Sequence, residues 1–129
     1  MMRLALILLS ACLYAVEPGE WKLQVKRDAI RLVGIKAYYG QYWAVGERGA
    51  IYSSSGGKIW ARRKPFTDKD LYDLCFPEMD VGYVVGAGGL IAATRDVGEH
   101  WVVQKTGVQE DIRAVSFGNR NVGCAVGIK

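Results

Sequence analysis

The chain has 129 residues, half of them hydrophobic and 23% charged, with a formal net charge of +4 at neutral pH. That length holds one domain, and the composition is globular, neither disordered nor collagenous. The basic excess is small and the longest Lys/Arg run is Arg62-Arg63-Lys64, which argues against the basic stripe of a nucleic-acid binder.

The first sixteen residues predict an export segment. Met1-Met2-Arg3 gives a short positive start, and a mostly apolar run follows from Leu4 to Val16. The run falls short of the ~20 residues that span a bilayer and matches the apolar region of a signal peptide. Leu9-Ser10-Ala11-Cys12 resembles a bacterial lipobox, in which the cysteine carries the lipid. Cys12 is therefore a lipidation candidate, with simple cleavage near Ala15 as the alternative. Cys75 and Cys124 show no metal-ligand spacing and no C-x-x-C, and both read as buried free thiols.

From Trp21 onward the chain repeats. Trp21, Trp60 and Trp101 mark a period of about 40 residues, in the range of propeller blades with four strands each. Leu32, Leu71 and Ile112 follow the tryptophans at one fixed spacing, and Ile35, Leu74 and Val115 at another. Next comes a strand ending in Val-Gly, at Val45-Gly46, Val85-Gly86 and Val126-Gly127. The clearest copy predicts strands at Leu71–Phe76, Val81–Val85, Leu90–Thr94 and Trp101–Lys105, with turns at Pro77–Asp80 and Gly86–Gly89. The expected fold is all-β, a partial β-propeller of four-stranded antiparallel blades over residues 20–129, with repeats near 21–60, 61–101 and 102–129.

The third turn of that copy carries Thr94-x-Asp96-x-Gly98-x-x-Trp101. A hydroxyl, a carboxylate and a glycine at those offsets suit a tight turn, because the oxygens accept bonds from the turn's own amides and glycine takes positive φ. The tryptophan anchors the turn by burial. The preceding copy reads Ser53-x-Ser55-x-Gly57-x-x-Trp60, shorter by one residue before its Gly46 and by another in its box, with serine at the carboxylate position.

These turns resemble the Asp-boxes of the BNR/Asp-box superfamily, and the repeat most resembles the photosystem II stability/assembly factor family. The pieces that carry the likeness are Leu71 to Phe76, Gly82 to Ile91 and Thr94 to Trp101. The resemblance implies a non-catalytic scaffold in the thylakoid lumen or an equivalent exported compartment, periplasmic or lipid-anchored. Its implied partner is a protein, such as a membrane-protein assembly intermediate, and it implies no cofactor and no metal.

Sialidases carry the same boxes, so a fragment of a BNR-type glycoside hydrolase or a carbohydrate-binding propeller is the alternative. The F/Y-R-I-P segment of sialidases is missing, Asp111-Ile112-Arg113 not being one. Gly86-x-Gly88-Gly89 is no dinucleotide fingerprint, because a strand follows it. His100 lies alone in the box turn with no visible catalytic partner. Arg62, Arg63 and Lys64 either blunt a strand edge or form a basic docking surface for an acidic partner. The strand count, with Trp21 opening a fourth strand that lacks the first three, predicts a chain that does not close a ring by itself and self-associates through open blade edges.

Overall fold

The computed structural model describes residues 30–128 in full and, as backbone strands, three earlier segments. Those segments are β1 (Leu4–Leu8), β2 (Ala11–Glu17) and β3 (Glu20–Lys26), an antiparallel sheet in the order β1-β2-β3. The next sheet is β4 (Leu32–Tyr38), β5 (Gln41–Gly46), β6 (Ile51–Ser54) and β7 (Ala61–Arg62). A third sheet repeats this order with β8 (Leu71–Cys75), β9 (Gly82–Gly86), β10 (Leu90–Thr94) and β11 (Val102–Gln104). The hairpin β12 (Ile112–Phe117) and β13 (Gly123–Gly127) completes the described residues.

The repeat therefore lays down sheets as the spacing requires, with each strand hydrogen-bonded to the next in sequence. One expectation is corrected. Trp21 falls on β3, and β1 and β2 precede it in the same sheet. The apolar run had carried no period that separates strand from export segment. Of the predicted export segment, residues 1–3, 9 and 10 lie outside the described residues, as do the side chains of the rest, Cys12 among them.

Successive side chains of a strand point to opposite faces, and here both faces of a sheet are buried. Trp43, Val45 and Ile51 leave the β4–β7 sheet on one side and join Leu71, Leu74, Phe76, Val84 and Trp101 of the next sheet in one core cluster. Ala44, Ala50, Tyr52 and Trp60 leave it on the other side. The β8–β11 sheet does the same: its Cys75 and Val85 pack forward against Ile112 and Val115.

The sheets meet through stacked rings. Trp43 on β5 stacks on Phe76, with centroids 4.7 Å apart, and Tyr83 on β9 stacks on Phe117 at 4.5 Å. Trp43 and Tyr83 hold the same place in their repeats, so one junction is used twice. Within a sheet, the ring beside the box tryptophan comes from either of two strands. Phe76 reaches Trp101 at 6.2 Å and lies over Gly82, whose added Cβ would be 2.6 Å from that ring. In the preceding sheet the small residue is Ala37 and its cross-strand partner Tyr42 supplies the ring, 6.5 Å from Trp60. The pair exchanges large and small and keeps the volume.

Trp43 is 1% exposed at the centre of this junction, whereas Ile59 in the neighbouring turn is 85% exposed. Trp43→Ala is expected to cost about 3–5 kcal/mol in urea unfolding, as for other buried aromatics. Ile59→Ala is expected to stay within about 0.5 kcal/mol of the parent. Equal losses at the two positions would contradict the junction.

Candidate functional site

The Asp-box-like turn of the β8–β11 sheet closes on itself. The Thr94 hydroxyl accepts from the Gly98 amide at 2.9 Å and donates to Asp96 Oδ1 at 2.8 Å. That oxygen also accepts the His100 amide at 2.9 Å, and Asp96 Oδ2 lies 2.6 Å from His100 Nδ1. Gly98 adopts φ +80° and touches the Trp43 ring of the neighbouring sheet. The bonds from His100, first the ring and then the amide, hold the Asp96 carboxyl down at about 2, with Thr94 adding to them. Every one of these groups serves the turn, and Trp101 beneath it is 9% exposed.

In the other box the structure shifts the register. Ser54, not Ser53, takes the place of Thr94: its hydroxyl accepts the Gly57 amide at 2.8 Å and the Gly56 amide at 3.4 Å. Ser53 instead accepts Arg63 Nε at 2.9 Å. The missing residue falls inside the turn, so Ser55 does not stand in for the carboxylate and is exposed. Trp60 Nε1 closes the shorter turn by donating to the Gly57 carbonyl at 3.0 Å.

The basic triplet divides. Arg63 is an inter-sheet clamp, with Nη1 2.6 Å from Glu99 of the second box and its guanidinium 5.0 Å from the Trp43 ring centroid. Arg62 lies over Tyr52 at 5.9 Å, and Lys64 is exposed. Of the two thiols, Cys75 is buried and Cys124 is exposed, which corrects the expectation for Cys124. Burial, with Asp73 beside it, pushes the Cys75 thiol up to about 11, away from nucleophilic chemistry. Asp73 is 8% exposed and joins three sheets: it accepts the Val115 amide at 3.0 Å and faces Lys36 Nζ at 3.7 Å. Among the described residues no group of three or more His, Cys, Asp or Glu could hold a metal ion.

A cavity of about 210 Å³ opens where the first strands of three sheets approach one another. Arg31, Glu47, Asp70, Tyr72 and Arg113 line it. Arg113 lies over the Tyr72 ring at 4.0 Å, and its Nη2 is 3.3 Å from Asp111 Oδ2. Arg31 Nε is 3.6 Å from Glu47 Oε1. The Tyr72 hydroxyl, 3.4 Å from Asp111 Oδ2, is raised above its ordinary pKa by burial and then by that carboxylate. Sequence reasoning missed this group. The available signal was that these residues flank the repeated Leu32, Leu71 and Ile112.

The successive four-stranded sheets and their repeated junctions define β-propeller blades. The particular likeness is to YCF48, a photosystem II assembly factor with that fold. A structure of YCF48 bound to a D1 peptide matches with a TM-score of 0.77 at 18% identity, covering 92% of this chain and 42% of that one. YCF48 from Cyanidioschyzon merolae matches with a TM-score of 0.75 at 15% identity and the same coverage. The chain thus spans about two fifths of these solved chains, and identities this low speak for the fold alone. No family model and no curated protein matches the sequence.

The Asp96 carboxyl provides a titration test. A folded pKa held below the unfolded value means that the box gains from ionised Asp96 above about pH 4. That gain is lost as pH falls through the folded value of about 2. The Asp96 side-chain carbonyl carbon is expected to titrate near that value by NMR, and His100→Ala to move it up toward the ordinary carboxylate range. An unchanged midpoint in the variant would remove His100 as the cause.

Proposed function

We propose that this chain is a non-catalytic, exported propeller scaffold that binds a protein partner, in the manner of a photosystem II assembly factor. The observation that carries the reading is its superposition on YCF48 in a structure that holds a D1 peptide. Fold likeness alone does not fix function, but the box geometry points the same way. Thr94, Asp96 and His100 are committed to one another and to turn amides. Glycoside hydrolysis needs two carboxyl groups placed across a formed cleft, whereas Asp70 and Asp111 each receive a turn amide from the preceding sheet. Export rests on Arg3, the apolar run to Val16 and the Leu9-Ser10-Ala11-Cys12 box. A membrane-protein assembly intermediate is the partner class that the reading favours.

Site-specific photocrosslinkers in the native host provide the test, one placed at Lys64 and one at Tyr72. The scaffold reading predicts a discrete crosslinked polypeptide from at least one position and no turnover of a fluorogenic sialoside by the purified chain. Sialoside turnover with no crosslinked polypeptide would contradict it.

A further inference from the structure

The three copies of the repeat control one another within a single chain. Positions that build the blade keep their character: Leu32, Leu71 and Ile112; Ile35, Leu74 and Val115; Gly46, Gly86 and Gly127. The residues immediately before the first set are Arg31, Asp70 and Asp111, and those immediately after are Val33, Tyr72 and Arg113. The preceding position keeps its aspartate in the last two copies, where it latches the turn of the preceding sheet, whereas the following position keeps neither charge nor size. The blade therefore does not dictate the following position, and its Val33, Tyr72 and Arg113 meet Arg31, Glu47 and Asp70 around the 210 Å³ cavity.

The cavity has an alternating charge pattern. Arg31 and Glu47 stand on one side, Asp70 between, and Arg113 with Asp111 on the other. The carboxylates are fixed by backbone: Asp70 Oδ1 accepts the Arg48 amide at 3.1 Å, and Asp111 Oδ1 the Gly88 amide at 3.0 Å. The Arg113 guanidinium is oriented by the Tyr72 ring beneath it. Both arginines face their carboxylates at 3.3 Å or more, longer than a tight charge-assisted bond. Donors of a five-donor guanidinium thus remain for a ligand. A lone anion would meet the carboxylates, and a lone cation the guanidiniums. The volume is below that of a typical cofactor pocket, about 300 Å³ or more, and suits side chains.

We propose that this cavity docks an extended polypeptide segment whose acidic and basic side chains stand two positions apart. Residues two apart project from the same side of an extended chain. The acidic one meets Arg113 or Arg31 while the basic one meets Asp70 or Glu47. This rests on the protein-binding reading and names the chemistry of the partner.

The probes are short synthetic peptides at physiological ionic strength: repeats of Glu-Ser-Lys-Ser, all-acidic and all-basic counterparts, and one with the same composition and its charges in two blocks. Binding is read by fluorescence anisotropy, with amide shifts locating the site. The alternating peptide is expected to bind at least about tenfold tighter than the other three, with shifts at Tyr72 and Arg113. Arg113→Gln, which leaves both backbone latches intact, is expected to weaken it about tenfold, and Arg62→Gln to leave it unchanged. Equal or tighter binding of the all-acidic peptide, or binding by none, overturns the proposal. If none binds while the Lys64 crosslinker still captures a polypeptide, the cavity falls and the scaffold reading stands.

Discussion

Two sheets can pack at propeller distance only if backbone is allowed to touch backbone at one end of their strands, and glycine makes that contact. In each four-stranded sheet the turn between the second and third strands carries glycine three residues apart, at Gly46 and Gly49 and again at Gly86 and Gly89. The first of each pair meets its own sheet: a Cβ on Gly46 would lie 2.0 Å from the Arg31 carbonyl oxygen, and one on Gly86 2.2 Å from that of Asp70. The second meets the segment leading to the next sheet: a Cβ on Gly49 would lie 1.9 Å from the Thr67 oxygen, and one on Gly89 1.9 Å from that of Val108. Both of the second glycines have positive φ, near +71° and +77°. The amide between the pair then donates to the next sheet's aspartate, Arg48 to Asp70 and Gly88 to Asp111. Ring stacking of Trp43 on Phe76 and of Tyr83 on Phe117 fills the space that this approach leaves.

The far end of the same sheets obeys a looser rule. Two box turns with different side chains and different lengths hold the same tryptophan in the same place. One uses a hydroxyl and a carboxylate to hold its amides, and the other loses the carboxylate, shortens, and ties its indole N–H to the Gly57 carbonyl. Trp101 Nε1 has no such partner. Burial of the ring is thus the shared requirement, with turn chemistry free to vary around it. The glycine-turn end supplies fixed backbone with variable side chains beside it, which is where a repeat protein can alter recognition without altering its fold.

Much of this was legible in the sequence. The period, the Val-Gly strand ends and Thr94 to Trp101 each rest on a local pattern, and the strands at Leu71–Cys75 and Leu90–Thr94 follow it. Three features were not legible. Ser54 displaces Ser53 because a deletion inside a turn can be placed only by its hydrogen bonds. Arg63 clamps two sheets because Glu99, far away in sequence, lies over the junction. Asp73 joins three sheets because Lys36 and Val115 converge on it. The last two depend on how one repeat meets the next, and a period records only that the repeats exist. The cavity around Tyr72 is the same case, built from flanking residues that share no motif.

Glycine at the second position of the turn is required by the neighbouring sheet and not by backbone conformation alone. Gly88 and Gly89 separate the two causes. Both have positive φ, +66° and +77°, but an added Cβ on Gly88 would meet only the flexible end of Lys69 at 3.2 Å. Gly88→Ala is expected to cost about 1 kcal/mol, the conformational term. Gly89→Ala, with its Cβ driven against the Val108 backbone, is expected to cost about 3 kcal/mol or more and to speed amide exchange at Val115. Equal costs for the two substitutions in urea unfolding, with Val115 protection unchanged, would contradict the account.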